Sequence, residues 1–294
     1  MKAVLCILSS DDDPPYFEFK GLFQDVPRQM ATKDLVLRKY DLPRDKMYLY
    51  FNSVLNLVCG LLGKMRVRPW LLSEELKRDL YVGVDTRPGK VATFTLINSI
   101  GDYISEARRA IRGSKMEKDV MRNTIIQLIM ENSRILPRAR PIHLVVHRDG
   151  DVYPSEEQGL EEAISSLRQR KLEVALTLVS IRESTPYRIF KCDNDDLAPC
   201  PSGVFVKLSR RMGLLASVGW PLIKQGLARP LLLEVIRNDR PGYDLQDIVR
   251  EVYHLSFLHW EGIVKKLKIP ITIKYADEYA VFAEKEIDII GPPL

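Results

Sequence analysis

Residues 80–85 read Leu80-Tyr81-Val82-Gly83-Val84-Asp85, and residues 141–150 read Pro141-Ile142-His143-Leu144-Val145-Val146-His147-Arg148-Asp149-Gly150. Each is a compact apolar run closed by an aspartate, too short for an ordinary helix and free of helical periodicity, which is the pattern of a buried strand. Between them, residues 90–97 and 104–110 read as two further strands of a meander, and 117–132 as a helix. Hairpins, a helix and then another buried strand make an α/β layout with a mixed central sheet. Carboxylates at the ends of two central strands lie where such sheets usually bind ligands.

Downstream, residues 155–168 read as a helix, and 172–180, 187–190, 203–208, 214–218 and 230–236 as strands. A long helix is expected over 243–265 and a last one over 275–284. Upstream, 2–8 is a buried strand. Asp11-Asp12-Asp13-Pro14-Pro15 is a turn that suits a helix start, leading to a short helix at 16–23. Residues 29–32 form a short strand, and 45–64 a helix whose period runs through Tyr48, Phe51, Leu55, Val58 and Leu62. The change of pattern places a domain boundary near residue 75.

The 294 residues suffice for two compact units at ~150 residues each. Hydrophobic residues at 46% and charged residues at 28% exclude a disordered chain. No apolar run is long enough to span a membrane, and the apolar residues 1–7 stop at Ser9–Pro14, too soon for a signal peptide. Cys6, Cys59, Cys192 and Cys200 lack CxxC spacing and read as free thiols of a reducing cytoplasm. His143 and His147 flank an apolar strand and read as core or surface groups, not zinc ligands. A net charge of +5 permits a nucleic-acid partner. The clusters Arg108, Arg109, Arg112, Lys115, Lys118 and Lys265, Lys266, Lys268 each read as a solvated face.

Phosphodiester cleavage by two metals needs several carboxylates in one place. Mg²⁺ and Mn²⁺ take oxygen ligands, and two ions ~3.5–4 Å apart serve the attacking water and the leaving oxygen. Either aspartate alone is as readily a turn residue or cap. Two buried strands that both end in aspartate, with a helix between, point to a nuclease of the ribonuclease H type.

With these stretches in view, the chain resembles the Argonaute family. Val82-Gly83-Val84-Asp85, the following helix and His147-Arg148-Asp149-Gly150 are similar to its PIWI domain. So are Ala228-Arg229-Pro230 with the next strand, the long helix, and Lys268-Ile269-Pro270-Ile271-Thr272-Ile273-Lys274-Tyr275-Ala276-Asp277. The resemblance implies a ribonuclease H-like PIWI domain at 76–294, preceded at 1–75 by the C-terminal part of a Rossmann-like MID domain. It implies a catalytic set of Asp85, Glu117, Asp149 and Asp277, with Glu106 as the alternative glutamate and Asp85, Asp149 and Asp277 as metal ligands. The implied cofactor is Mg²⁺ or Mn²⁺, two ions at this site and a further one at the guide 5′ end. The implied partners are a guide and a target strand, DNA or RNA, in a prokaryotic cytoplasm.

The same resemblance assigns a guide 5′-phosphate pocket. Tyr16 and Lys20 are four apart and share a helix face. Gln29 follows, and Asn56 precedes Lys64 by eight residues. By resemblance Tyr16 stacks on the first guide base, Lys20, Gln29 and Lys64 hold the phosphate, and the terminal carboxylate of Leu294 lies nearby.

Two departures stand out. The chain begins about halfway through the MID pattern, so a second polypeptide or a dimer is expected to cover the strand at 2–8, with a truncated gene product as the alternative. After Lys64 the family often has Gly-Gly, whereas this chain has Met65-Arg66-Val67, residues that resist the backbone angles glycine allows.

Overall fold

The computed structural model describes residues 3–8, 14–22, 26–33, 35, 42–113, 115–136, 140–193, 196–219, 229–260, 266–289 and 291–293. The chain divides into two compact units, one of residues 1–71, 259–266 and 281–294, the other of 72–258 and 267–280. It first passes between them after Leu71, against an expected boundary near residue 75. Two C-terminal segments belong with the N-terminal unit, which no local pattern announces.

The first unit contains a βαβ turn. β1 (Val4–Leu8) and β2 (Arg28–Thr32) pair in parallel, joined through α1 (Pro14–Leu22). Parallel neighbours need such a crossover. α2 (Met47–Lys64) follows. Its apolar stripe lies outward: Tyr48, Phe51, Leu55 and Val58 are exposed, as are Leu5 and Ile7 on β1.

The second unit is built on an eight-stranded mixed sheet. Its strands are β3 (Leu80–Arg87), β4 (Val91–Asn98), β5 (Tyr103–Ala110), β6 (Ile142–Asp149), β7 (Val174–Arg182), β10 (Val204–Lys207), β11 (Met212–Ala216) and β12 (Leu231–Asn238). Their order is β10-β11-β12-β7-β6-β3-β4-β5, with β3, β6 and β7 parallel and the other pairs antiparallel. A separate hairpin joins β8 (Phe190–Asp193) and β9 (Asp196–Pro199).

Strand periodicity separates the two faces of this sheet. The even positions of β3, Leu80, Val82 and Val84, join the apolar core under α3 (Lys118–Glu131) and α4 (Pro154–Gln169). The odd positions look the other way, where a Cβ on Gly83 would lie 2.1 Å from the Thr272 carbonyl oxygen of α6 (Ile271–Glu284).

The helix expected over 243–265 is shorter in the structure: α5 is Leu245–Leu255. Asp244 caps its start by accepting from the Gln246 and Asp247 amides, and Ser256 Oγ turns back to the Tyr253 carbonyl at its end. The last helix starts at Ile271, four residues before the expected 275, because its first turn is held by tertiary bonds that outweigh its β-branched composition.

Candidate active site

Asp85 and Asp149 lie on adjacent parallel strands, with the β3–β6 register running from Leu80–Leu144 to Val84–Arg148. Both aspartates lie near the C-terminal ends of their strands, on the α6 face. Asp277 reaches this face from α6, whose docking is set by β4. Thr95 Oγ1 donates to the Thr272 carbonyl at 2.8 Å, and Thr93 Oγ1 to the Ala276 carbonyl at 2.7 Å. Threonines two apart on a strand thus meet carbonyls four apart on a helix, two similar spacings. His147 Nδ1 pairs with Thr272 Oγ1 at 3.0 Å. Burial holds His147 down at a pKa of about 3, so it serves as a neutral bonding group.

On the opposite face, Arg148 fixes the β6 terminus. Its Nε donates to the fully buried Glu156 of α4 at 3.1 Å, its Nη2 to Thr86 Oγ1 at 2.8 Å, and its Nη1 to the Asp149 carbonyl. Gly150 then turns the chain at φ 80, a left-handed conformation that suits glycine, and its carbonyl accepts from Ser180 Oγ at 2.6 Å.

The carboxylates act on one another. Asp149 is pushed up to about 6, first by burial and then by the charges of Asp85, Glu183 and Asp277. Asp85 is also raised, chiefly by burial, with Asp277 adding to it and Arg87 and Arg148 opposing. Asp85 Oδ2 is buried without a hydrogen-bond partner. An all-oxygen, mutually repelling set of this kind suits a hard divalent cation. Among the described residues, however, no three His, Cys, Asp or Glu side chains converge closely enough to hold an ion.

The structure thus brings Asp85, Asp149 and Asp277 within electrostatic reach of one another, but neither candidate glutamate joins them. Glu117 is exposed at the N-terminus of α3, where its carbonyl accepts from the Val120 and Met121 amides. Glu106 on β5 bonds to Tyr279. Two residues escaped the sequence reading. Glu183 follows β7 and raises Asp149; the signal was a third parallel strand running into an acid. Arg87 donates to Asp277 and faces Asp85; the signal was its position two residues after Asp85 on one strand.

The first unit holds the other candidate set. Lys20 and Lys64 are both buried, and Lys64 Nζ donates to Gln29 Oε1. Lys20, Lys64 and Arg28 line a small pocket with Pro27, Phe282 and Pro292. Arg28, which the sequence reading passed over, donates to the Asp288 carbonyl at 2.8 Å. Asn56 is half-buried on α2. The side chain of Tyr16 and the whole of Leu294 lie outside the described residues. Arg66 adopts φ 58, the left-handed angle that the missing glycine would have taken more readily.

A family model, the Piwi domain, matches residues 3–288. The chain belongs to the Piwi domain family. Its mixed sheet, with aspartates at the ends of neighbouring strands, is the ribonuclease H-like α/β fold of that domain. Among solved structures, this Piwi chain is similar to the Argonaute of Clostridium butyricum bound to a guide DNA and a 19-mer target DNA. The TM-score is 0.75 at 22% identity, covering 97% of this chain and 37% of that one. The Aquifex aeolicus Argonaute matches with a TM-score of 0.67 at 21% identity, over 98% and 40% of the two chains. An Argonaute with externally bound siRNA gives 0.68 at 21%, over 99% and 40%. The Piwi chain therefore spans less than half the length of the structures it resembles. No curated protein sequence matches it. Among the described residues no helix is long and apolar enough to cross a membrane.

Proposed function

We propose that this chain is a guide-directed endonuclease that holds a guide by its 5′ phosphate and cuts the complementary strand at Asp85, Asp149 and Asp277. The observation that carries this reading is the placement of three aspartates from β3, β6 and α6 on one sheet face within electrostatic reach, where Asp85 and Asp277 help to raise Asp149 and Asp277 helps to raise Asp85. Mg²⁺ or Mn²⁺, when bound, supplies the Lewis acid and activates the water. By the resemblance to the family, Asp85 would be the central ligand, with Asp149 and Asp277 beside it. Glu117 is the mobile fourth acid, free at the exposed start of α3 to move when a guide–target duplex is loaded. Lys20, Gln29 and Lys64 hold the guide phosphate, and Tyr16 stacks on its first base. Binding of guide and target in the similar Clostridium butyricum structure supports nucleic acid as the partner.

The test is incubation with a 5′-phosphorylated guide, a labelled complementary strand and Mn²⁺. A single cut at a fixed distance from the guide 5′ end, abolished by Asp149→Ala and weakened by a 5′-hydroxyl guide, supports the proposal. Unchanged cutting by the Asp85→Ala/Asp149→Ala double variant would overturn the site.

A second reading is favoured by the exposed Glu117 and by the hold of Arg87 on Asp277. In it the chain binds guide and target and depends on another polypeptide for output. The outward Tyr48–Val58 stripe and Leu5 and Ile7 are surfaces such a partner could cover. Tight, 5′-phosphate-dependent guide binding without any cut supports this reading. A well-behaved monomer by light scattering that also cuts alone removes it.

A further inference from the structure

Arg87 lies two residues beyond Asp85 on β3, so both side chains project to the α6 face. One end of its guanidinium donates to Asp277 Oδ1. The other end presents Nε to Asp85 Oδ2 across 4.0 Å, too far for a hydrogen bond. Both of those atoms are buried, and neither has a hydrogen-bond partner. A single cation therefore spans the aspartate of β3 and the aspartate of α6, completing one contact and leaving the other unmade.

We propose that Arg87 is the built-in counter-cation of the carboxylate site, and that a divalent metal ion must displace it from the Asp85–Asp277 pair. This rests on the reading that these carboxylates bind Mg²⁺ or Mn²⁺. Three observations lead to it. The guanidinium of Arg87 lies against the carboxylates of both Asp85 and Asp277, so its charge offsets their repulsion where an ion would. Its bond to Asp277 holds that carboxylate while the described acids stay short of an ion-binding arrangement. Its second contact is stretched, so the pair is attracted but not locked, and a compact double charge is the stronger competitor for the same oxygens. Once released, the guanidinium stays beside the carboxylates, and its planar fork suits a phosphodiester oxygen pair. Arg87 thus makes metal occupancy depend on what else arrives: a nucleic-acid backbone offers the displaced arginine a new anionic partner.

The experiment is Mn²⁺ titration of the full chain without nucleic acid, by calorimetry and by the electron paramagnetic resonance of free Mn²⁺. It compares wild type, Arg87→Ala, Arg87→Lys and the Arg87→Ala/Asp149→Asn double variant. Removing the competing charge should tighten Mn²⁺ binding on the order of tenfold or more, with Arg87→Lys between, because lysine keeps the charge and loses the fork. The double variant should lose the gain, which ties it to this site. Binding by Arg87→Ala where wild type shows none also supports the proposal. Equal or weaker binding in Arg87→Ala overturns it, and so does absence of binding in both, since Arg87 is then not what stands between the site and the ion. Guided cutting by wild type in the same preparation separates these outcomes: cutting alongside a flat Arg87→Ala titration removes the role of Arg87 and leaves the nuclease reading intact.

Discussion

The α-carbon of Gly83 faces the carbonyl of Thr272 so closely that a Cβ would stand 2.1 Å from its oxygen and 2.9 Å from Thr95 Oγ1. The glycine in the Val-Gly-Val-Asp run is therefore a contact surface for α6, and α6 carries Asp277 to the site. Backbone cannot retreat as a flexible side chain can. Gly83→Ala should force the helix away from β3 and cost about 1–3 kcal/mol, read as a lower urea midpoint with unchanged slope. A change below about 0.5 kcal/mol, within the range of an ordinary surface substitution, would mean that the helix adjusts freely and that Gly83 does not set its position.

How much of this was legible in the sequence follows from the range of each interaction. β3 and β6 were legible because a buried strand writes itself as a short apolar run, and their terminal aspartates came with them. The start of α6 was not. Ile269-Pro270-Ile271-Thr272-Ile273 has the composition of a strand, and its helical start is held by distant partners, Thr95 on the Thr272 carbonyl and His147 on the Thr272 hydroxyl. The early end of α5 was hidden for a similar reason: Leu258 packs at Gly101, a contact that no local period encodes. Glu183 and Arg87 were not legible because Arg87 is the last residue of its strand and Glu183 the first past the end of its own, both beyond the apolar runs that mark them. The apolar period of α2 marks the helix, but a period cannot say whether its stripe meets a core or lies outward, as Tyr48, Phe51, Leu55 and Val58 do.

The buried pair of Arg148 and Glu156 holds the β6 terminus against α4. Glu156 is fully buried and accepts from Arg148 Nε at 3.1 Å and from the Tyr153 amide at 3.1 Å. Glu156→Ala would strand the guanidinium in an apolar setting, at a cost of about 3–5 kcal/mol. Because Arg148 also bonds the Asp149 carbonyl, Mn²⁺ affinity should weaken in the same variant. Thermal or urea unfolding gives the first quantity and calorimetry the second. A stable variant with wild-type metal binding would show that β6 needs no such anchor.

Three helices end in the same strained way. Arg66, Lys171 and Glu286 follow α2, α4 and α6 at φ 58, 65 and 56. After each, the next residue's amide reaches back to close the last turn: Val67 to Leu62, Leu172 to Leu167, and Ile287 to Phe282. A left-handed angle costs a side-chain-bearing residue roughly 1–2 kcal/mol. Glycine recovers part of that and loses some to the greater freedom of the unfolded chain. Lys171→Gly and Glu286→Gly should each raise stability by up to about 1 kcal/mol. Arg66→Gly should do the same while testing the neighbourhood of Lys64: if it also weakens guide binding, the arginine side chain, and not only its backbone angle, belongs to the phosphate pocket.

The last prediction concerns pH in the metal-free protein, kept so with a chelator. Burial and its acidic neighbours raise Asp149 from 3.8 to about 6, so the folded chain holds this proton more tightly than the unfolded chain. The stability it contributes is complete below pH ~4 and is lost as pH rises through about 6. His147, two positions earlier, has the opposite sense. Its pKa is lowered to about 3, so its contribution is present above the ordinary histidine value of 6.5 and is lost as pH falls. The two slopes oppose each other between pH 4 and 6. Asp149→Asn removes one of them, leaving a variant whose stability falls on acidification more steeply than that of wild type. At about 1.4 kcal/mol per pKa unit, and with some screening by solvent, the variant should exceed wild type by on the order of 2 kcal/mol at pH 7 and by little at pH 4. Saturating Mn²⁺ should reverse that order at pH 7, because wild type then gains an ion that the asparagine holds poorly. Parallel stability–pH curves for the two proteins in chelator would show that Asp149 ionises as freely in the fold as outside it, and the picture of three mutually repelling aspartates would have to be given up.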